Sequence, residues 1–124
     1  MSARDQSRRE FLLGSLSGVG AAWVVANVAG IEEAQAFVQQ AAGAARTPSF
    51  AFFTPAQAAE VEAMAAQIIP TDSTPGAREA RVIHFIDRVL TTFEKQRQGE
   101  YLEGLKLLQA RTNQMFPSAS AARA

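Results

Sequence analysis

Two prolines five positions apart restrict the fold more than any other feature of this sequence. Pro70 has no backbone N–H and disfavours helical geometry in the residue before it, so an incoming helix is predicted to end near Ile69. Pro75 suits the first position of a new helix, where its missing N–H is no loss, and the Thr74 hydroxyl can cap that helix. Residues 68–80 are therefore predicted to form a polar corner between two helices.

The segments around the corner have apolar residues at helical spacing. Thr54-Pro55-Ala56-Gln57 is a capping-box sequence with proline at the first helical position, and it predicts a helix that runs to Ile69. A second helix is predicted from Pro75 to about Gln96, and a third from about Glu100 to Met115. The predicted fold class is all-α, with a small three-helix domain in residues 54–116.

One face of each helix is predicted to be buried. The residues on these faces are Ala58, Val61, Met64, Ala65 and Ile68 in the first helix, Val82, Ile83, Ile86, Val89, Leu90 and Phe93 in the second, and Leu102, Leu105 and Leu108 in the third. Phe85 widens the second face, and Tyr101, Thr112 and Met115 extend the third.

Length and composition exclude several classes of function. A chain of 124 residues allows one small domain. Its 12 basic residues balance 12 acidic residues, which argues against a nucleic-acid partner. The absence of cysteine excludes disulfides, thiolate nucleophiles, cysteine-ligated iron–sulfur sites and covalent attachment of haem.

The N-terminal sequence resembles a twin-arginine export signal. The motif residues are Ser7, Arg8, Arg9, Phe11 and Leu12. An uncharged run of 21 residues begins at Phe11, and its glycines and serines make it only mildly apolar, as in twin-arginine signals. Residues 1–36 are therefore predicted to be a signal segment that directs the chain to the periplasm.

Small residues mark the predicted end of this signal. Ala34 and Ala36 occupy the positions that a signal peptidase reads, so cleavage is expected before Phe37. The alternative is a retained membrane anchor, since 21 residues are long enough to cross a bilayer as a helix. Residues 37–53 are interpreted as a linker with a phenylalanine cluster, and residues 117–124 as a tail rich in serine and alanine.

Three short motifs carry a resemblance to a known family. They are Ile68-Ile69-Pro70-Thr71-Asp72, Thr74-Pro75-Gly76-Ala77 and Phe85-Ile86-Asp87. In this order they resemble the signature of the gluconate 2-dehydrogenase subunit 3 family, and the resemblance covers about residues 50–116.

The resemblance implies an accessory chain in an oxidoreductase complex. Members of that family are small, cofactor-free subunits of membrane-associated flavin dehydrogenases. It implies a large FAD-dependent partner of the glucose-methanol-choline oxidoreductase class that acts on a sugar, sugar acid or glycoside in the periplasm, at the outer face of the inner membrane. A c-type cytochrome subunit with haem c is the expected electron acceptor. Together with the arginine pair, the resemblance predicts that this chain stabilises the flavoprotein and escorts it through the twin-arginine translocase.

Few residues suggest chemistry of their own. His84 and Asp87 lie one helical turn apart, but no third ligand joins them as zinc or iron would need, so His84 is interpreted as a helix-surface residue. Asp72 is expected to bond nearby backbone amides in its turn. The sequence has no glycine-rich nucleotide motif. No catalytic, cofactor-binding or metal-binding residue is predicted in this chain.

The partner is expected to contact the corner and the phenylalanine cluster, because a three-helix core does not require all of either. The predicted contact residues are Phe50, Phe52, Phe53, Pro70, Thr71, Asp72, Pro75, Gly76 and Arg78. Two other interpretations remain open. In the first, the chain is a free-standing exported binding or scaffold domain. In the second, it is a small metal-dependent enzyme built on His84 and Asp87.

Overall fold

The computed structural model describes residues 19–44 and 49–117. The helices in these ranges are α1 (Val19–Ala26), α2 (Val28–Ala42), α3 (Pro55–Ile68), α4 (Val82–Thr91) and α5 (Gln98–Met115), with a 3₁₀ turn at Lys95–Arg97. No strand occurs in them, so the all-α prediction is confirmed. The twin-arginine motif and the C-terminal tail after Pro117 lie outside the described residues.

Helix α3 begins where the capping box predicts. The Thr54 hydroxyl accepts a hydrogen bond from the backbone N–H of Gln57 at 3.2 Å. The Gln57 side chain in turn accepts from the backbone N–H of Thr54 at 3.0 Å. The helix ends at Ile68, before Pro70, as predicted.

The predicted boundaries of the second helix are wrong at both ends. Residues 77–81 form turns, and Arg81 has a left-handed backbone with φ of 55°, so α4 begins only at Val82. It ends at Thr91, where the Thr92 hydroxyl donates to the carbonyl of Arg88 at 2.8 Å. The 3₁₀ turn replaces the rest of the predicted helix, and α5 follows directly from it.

The segment before the predicted domain adds a further helical layer. α2 packs along α4, and its Ala34 is completely buried. Residues 37–42, expected to belong to a linker, are the C-terminal end of this helix. A turn at Asn27 separates α1 from α2, and the Asn27 side chain donates to the carbonyl of Trp23 at 2.9 Å. Neither helix is long and apolar enough to span a membrane, and the same holds for α3 to α5.

The hydrophobic core lies around α4. The buried residues that form it are Phe53, Ala58, Val61, Ile83, Leu90 and Leu105. Phe50, Phe52, Ile86 and Tyr101 are partly buried and pack against it. α5 contributes only Leu105 to the buried set, although its predicted apolar face was larger.

Candidate functional site

Asp87 organises the aromatic segment, which we define as residues 50–53. Its carboxylate accepts hydrogen bonds from the backbone N–H groups of Ala51 at 2.7 Å and of Phe52 and Phe53 at 3.0 Å each. Asp87 is buried, so these charge-assisted bonds form where water competes little. The acidic residue of the Phe85-Ile86-Asp87 motif therefore fixes a loop whose amides lie more than thirty positions earlier in the chain.

His84 is buried, which corrects the prediction of a helix-surface residue. Its ring stacks on Phe50, with centroids 4.8 Å apart and an angle of 16° between the planes. Burial lowers the pKa of His84, and the nearby positive charge of Arg81 adds to this effect.

The arrangement of His84 and Asp87 is structural. The aspartate uses both carboxylate oxygens on backbone amides, and the histidine packs against an aromatic ring. Within residues 19–44 and 49–117, no group of three His, Asp or Glu side chains is close enough together to hold a metal ion.

The corner is closed by the backbone of Gly76 and Ala77. The Ala77 N–H donates to the carbonyl of Ile69 at 2.9 Å, and this bond joins the two sides of the corner. A Cβ atom on Gly76 would lie 2.6 Å from the carbonyl oxygen of Ile69 and 2.7 Å from the backbone nitrogen of Thr71. Glycine is required at this position because the two backbones approach too closely for a side chain.

Polar side chains at the surface of the corner add hydrogen bonds and an ion pair. Glu79 accepts from the Thr71 hydroxyl at 2.7 Å and from the Gly76 N–H at 2.9 Å. These hydrogen bonds lower the pKa of the Glu79 carboxyl, and the bond from the Thr71 hydroxyl has the largest effect. Arg78 forms an exposed ion pair with Glu62 of α3.

Asp72 has the role expected of it, and Thr74 does not. Asp72 accepts from both the backbone N–H and the hydroxyl of Thr74 at 2.9 Å. The predicted helix cap by Thr74 is therefore wrong, since no helix begins at Pro75 and the hydroxyl bonds within the turn instead.

The structure divides the predicted contact residues into three groups. Thr71, Asp72, Pro75 and Arg78 are exposed, and Phe50, Phe52 and Pro70 are partly buried. Phe53 and Gly76 are buried. Within the chain, Phe53 belongs to the core and Gly76 allows the close approach of two backbones.

Large apolar side chains are exposed elsewhere, on α1, α2, α3 and α5. Val25 and Val28 lie on α1 and α2, and six more lie on α3, on α5 and at the residue that caps α5: Met64, Ile68, Leu107, Leu108, Met115 and Phe116. Met64, Ile68, Leu108 and Met115 were predicted to be buried, but 40%, 57%, 38% and 57% of their surface is exposed. Leu107 is 65% exposed, and it lies outside the apolar face predicted for the third helix. We call these six residues the α3–α5 apolar surface.

A scan of protein families matches residues 55–123 to the family described as gluconate 2-dehydrogenase subunit 3. The match covers more than half of the chain. The chain belongs to the gluconate 2-dehydrogenase subunit 3 family. Searches of curated proteins and of solved structures find no match to it.

The family match begins at Pro55, so it contains α3, the corner, α4 and α5 of this subunit 3 chain. The aromatic segment, α1 and α2 precede the match. By its name, the family describes one subunit of a dehydrogenase that has several.

Proposed function

We propose that this chain is the non-catalytic small subunit of a periplasmic FAD-dependent dehydrogenase that oxidises a sugar, a sugar acid or a glycoside. The chain stabilises the flavin-carrying subunit and escorts it through the twin-arginine translocase. The family match over residues 55–123 carries the proposal, because it relates the chain to one subunit of a larger dehydrogenase. FAD is bound by the large subunit, and electrons pass to a c-type cytochrome with haem c.

The exposed apolar side chains support a role beside a larger protein. The α3–α5 apolar surface includes Leu107 and Phe116, of which 65% and 55% are exposed. Exposed apolar side chains that lie together in a patch often mark a site where another protein binds. A flavoprotein subunit seated there would remove these side chains from water.

The internal use of His84 and Asp87 supports a non-catalytic role. A general base or metal ligand needs a side-chain atom directed at a substrate or ion. In this chain Asp87 is directed at three backbone amides, and the ring of His84 is stacked on Phe50.

Export is tested by changing the arginine pair, which lies outside the described residues. In the double variant Arg8→Lys, Arg9→Lys, we expect both this chain and its flavoprotein to remain in the cytoplasm. Arg4→Lys is the matched control, and both proteins should then reach the periplasm. Flavin absorbance and immunoblots of the two fractions measure the outcome. Periplasmic flavoprotein in the double variant would refute the escort role.

Complex formation is tested on the α3–α5 apolar surface. We expect Leu107→Glu to reduce the flavoprotein that co-purifies with the tagged chain, because a charge replaces an apolar contact. Gln109→Glu adds the same charge at an exposed position of α5 and should leave recovery unchanged. Circular dichroism verifies that both variants fold. Equal recovery would exclude this surface, and recovery of no flavoprotein by the unaltered chain would favour a free-standing scaffold domain.

A further inference from the structure

The predicted cleavage site lies inside a packed helix. Ala34 and Ala36 are in the middle of α2, and no part of Ala34 is exposed to solvent. Residues on both sides of the Ala36–Phe37 bond contact the same side chain of α4. The Arg88 Nε atom donates to the Glu33 carboxylate at 2.9 Å, and the Arg88 guanidinium lies 4.6 Å from the centre of the Phe37 ring.

A second group of contacts holds the earlier part of the segment. The Trp23 indole N–H donates to the Glu94 carboxylate at 2.8 Å, and Glu94 is buried. The Trp23 ring also lies 5.8 Å from that of Phe93. Gly30 approaches Phe93 so closely that a Cβ atom would lie 2.3 Å from its ring. Both α1 and α2 are therefore attached to the end of α4 and the turn that follows it.

A protease needs an accessible peptide bond, and the packing of α2 prevents access to the Ala36–Phe37 bond. Proteases cut at exposed and flexible segments, and a bond within a packed helix becomes accessible only when the helix opens locally. Opening α2 would break the contacts of Arg88 with Glu33 and Phe37 and expose the side chain of Ala34.

We infer that α1 and α2 are a permanent layer of the folded domain, and that the Ala36–Phe37 bond is protected from signal peptidase. The exported chain keeps residues 19–42 instead of losing them with a signal. This inference rests on the proposed export only where it concerns the peptidase, because the packing of α2 on α4 is a property of the folded chain itself.

The first test is hydrogen exchange on the purified full chain, which does not depend on export. Backbone amides of residues 33–41 should be protected to the same extent as those of residues 83–90. Exchange of residues 33–41 at the rate of an unfolded peptide would overturn the inference.

The second test is the intact mass of the chain recovered from the periplasm. The expected mass includes residues 19–36. A product that begins at Phe37 would overturn the inference. If no chain reaches the periplasm, the export proposal fails, and the exchange measurement still decides whether the layer is permanent.

A pair of glycine variants links protection to packing. We expect Gly30→Ala to disturb the contact with Phe93 and make exchange in residues 33–41 about tenfold faster. Gly43→Ala is the matched control, because the nearest atom to its added Cβ lies 3.8 Å away. Similar exchange rates in the two variants would show that the contact does not hold α2 in place, which would contradict the inference.

Discussion

Helices α4 and α5 differ sharply in how much of their surface the chain itself covers. Five of the ten residues of α4 are buried: Ile83, His84, Asp87, Val89 and Leu90. In α5, which has 18 residues, only Leu105 is buried. The shorter helix is therefore the centre of the domain, and the longer one lies at its edge.

The difference shows how this small chain distributes its packing. α4 is contacted by α2, α3 and the aromatic segment, so both its apolar and its polar side chains find partners within the chain. One turn of α5 packs against the core, whereas Leu107 and Leu108 of the same helix are exposed. A domain of this size buries a limited fraction of its surface, and here several large apolar side chains of α3 and α5 stay exposed, as do Val25 of α1 and Val28 of α2.

The largest expected effect is the difference in stability between two leucine truncations, one on α4 and one on α5. Leu90→Ala should lower the free energy of unfolding by about 3 kcal/mol, because it leaves a cavity at a position that is only 1% exposed. Leu107→Ala should change it by less than about 0.5 kcal/mol in the isolated chain. Urea denaturation followed by circular dichroism measures both. Equal effects would contradict the contrast between α4 and α5.

Removing the charge of Asp87 should have the next largest effect. Asp87→Asn places an amide group against backbone N–H donors and should lower the free energy of unfolding by about 2 kcal/mol. Glu100→Gln on α5 is the control, because its carboxylate is exposed and its ion pair with Arg97 contributes little. A loss in Glu100→Gln as large as that in Asp87→Asn would argue against a special role for the buried carboxylate.

Two glycine variants compare a closely packed backbone position in the corner with an open position on α5. Gly76→Ala should destabilise the domain by about 1–2 kcal/mol, because the new Cβ would overlap backbone atoms of the corner. Gly104→Ala on α5 should stabilise it by up to about 1 kcal/mol, because nothing lies within 4 Å and alanine favours the helix. Thermal unfolding compares the two variants. The prediction fails if both shift stability in the same direction.

The smallest expected effect is the pH dependence due to His84. Burial lowers its pKa below the ordinary value of 6.5, so below this pH the unfolded chain takes up the proton first. Stability contributed by the neutral ring is complete above about pH 6.5 and falls as the solution is acidified towards the folded pKa. His84→Gln should flatten this dependence.

The carboxylates provide the control for this measurement. Glu33 and Glu79 have pKa values lowered from 4.5, mainly by hydrogen bonds from Arg88 and Thr71 respectively. The stability that these carboxylates contribute to the folded chain is lost only when the pH falls below about 4.5. Urea midpoints measured from about pH 7 to pH 5 therefore report on His84, and an unchanged slope in His84→Gln would contradict its role.

Parts of this structure follow from short sequence signals. The start of α3 was predictable because Thr54, Pro55 and Gln57 act on one another within a single helical turn. The end of α3 was predictable because Pro70 restricts its immediate neighbour. The start of α4 was not, since the Ala77 amide bonds to Ile69 across the corner and Arg81 adopts a left-handed backbone.

The candidate site was predicted only in part. A polar corner was expected, and its residues Thr71, Asp72, Pro75 and Arg78 are exposed. The exposure of Met64 and Ile68 was missed, because helical spacing shows that a helix has an apolar face but not whether a neighbour covers it.

By itself, the sequence determined that the chain is helical, where α3 begins and ends, and that two prolines enclose a corner. Only the tertiary structure decided that His84 and Asp87 are buried, that α2 covers α4, and that α5 stays largely exposed. The physical reason is distance along the chain. Caps and prolines act over a few residues, whereas Asp87 bonds to amides 34 to 36 positions away and Trp23 bonds to Glu94 across 71 positions.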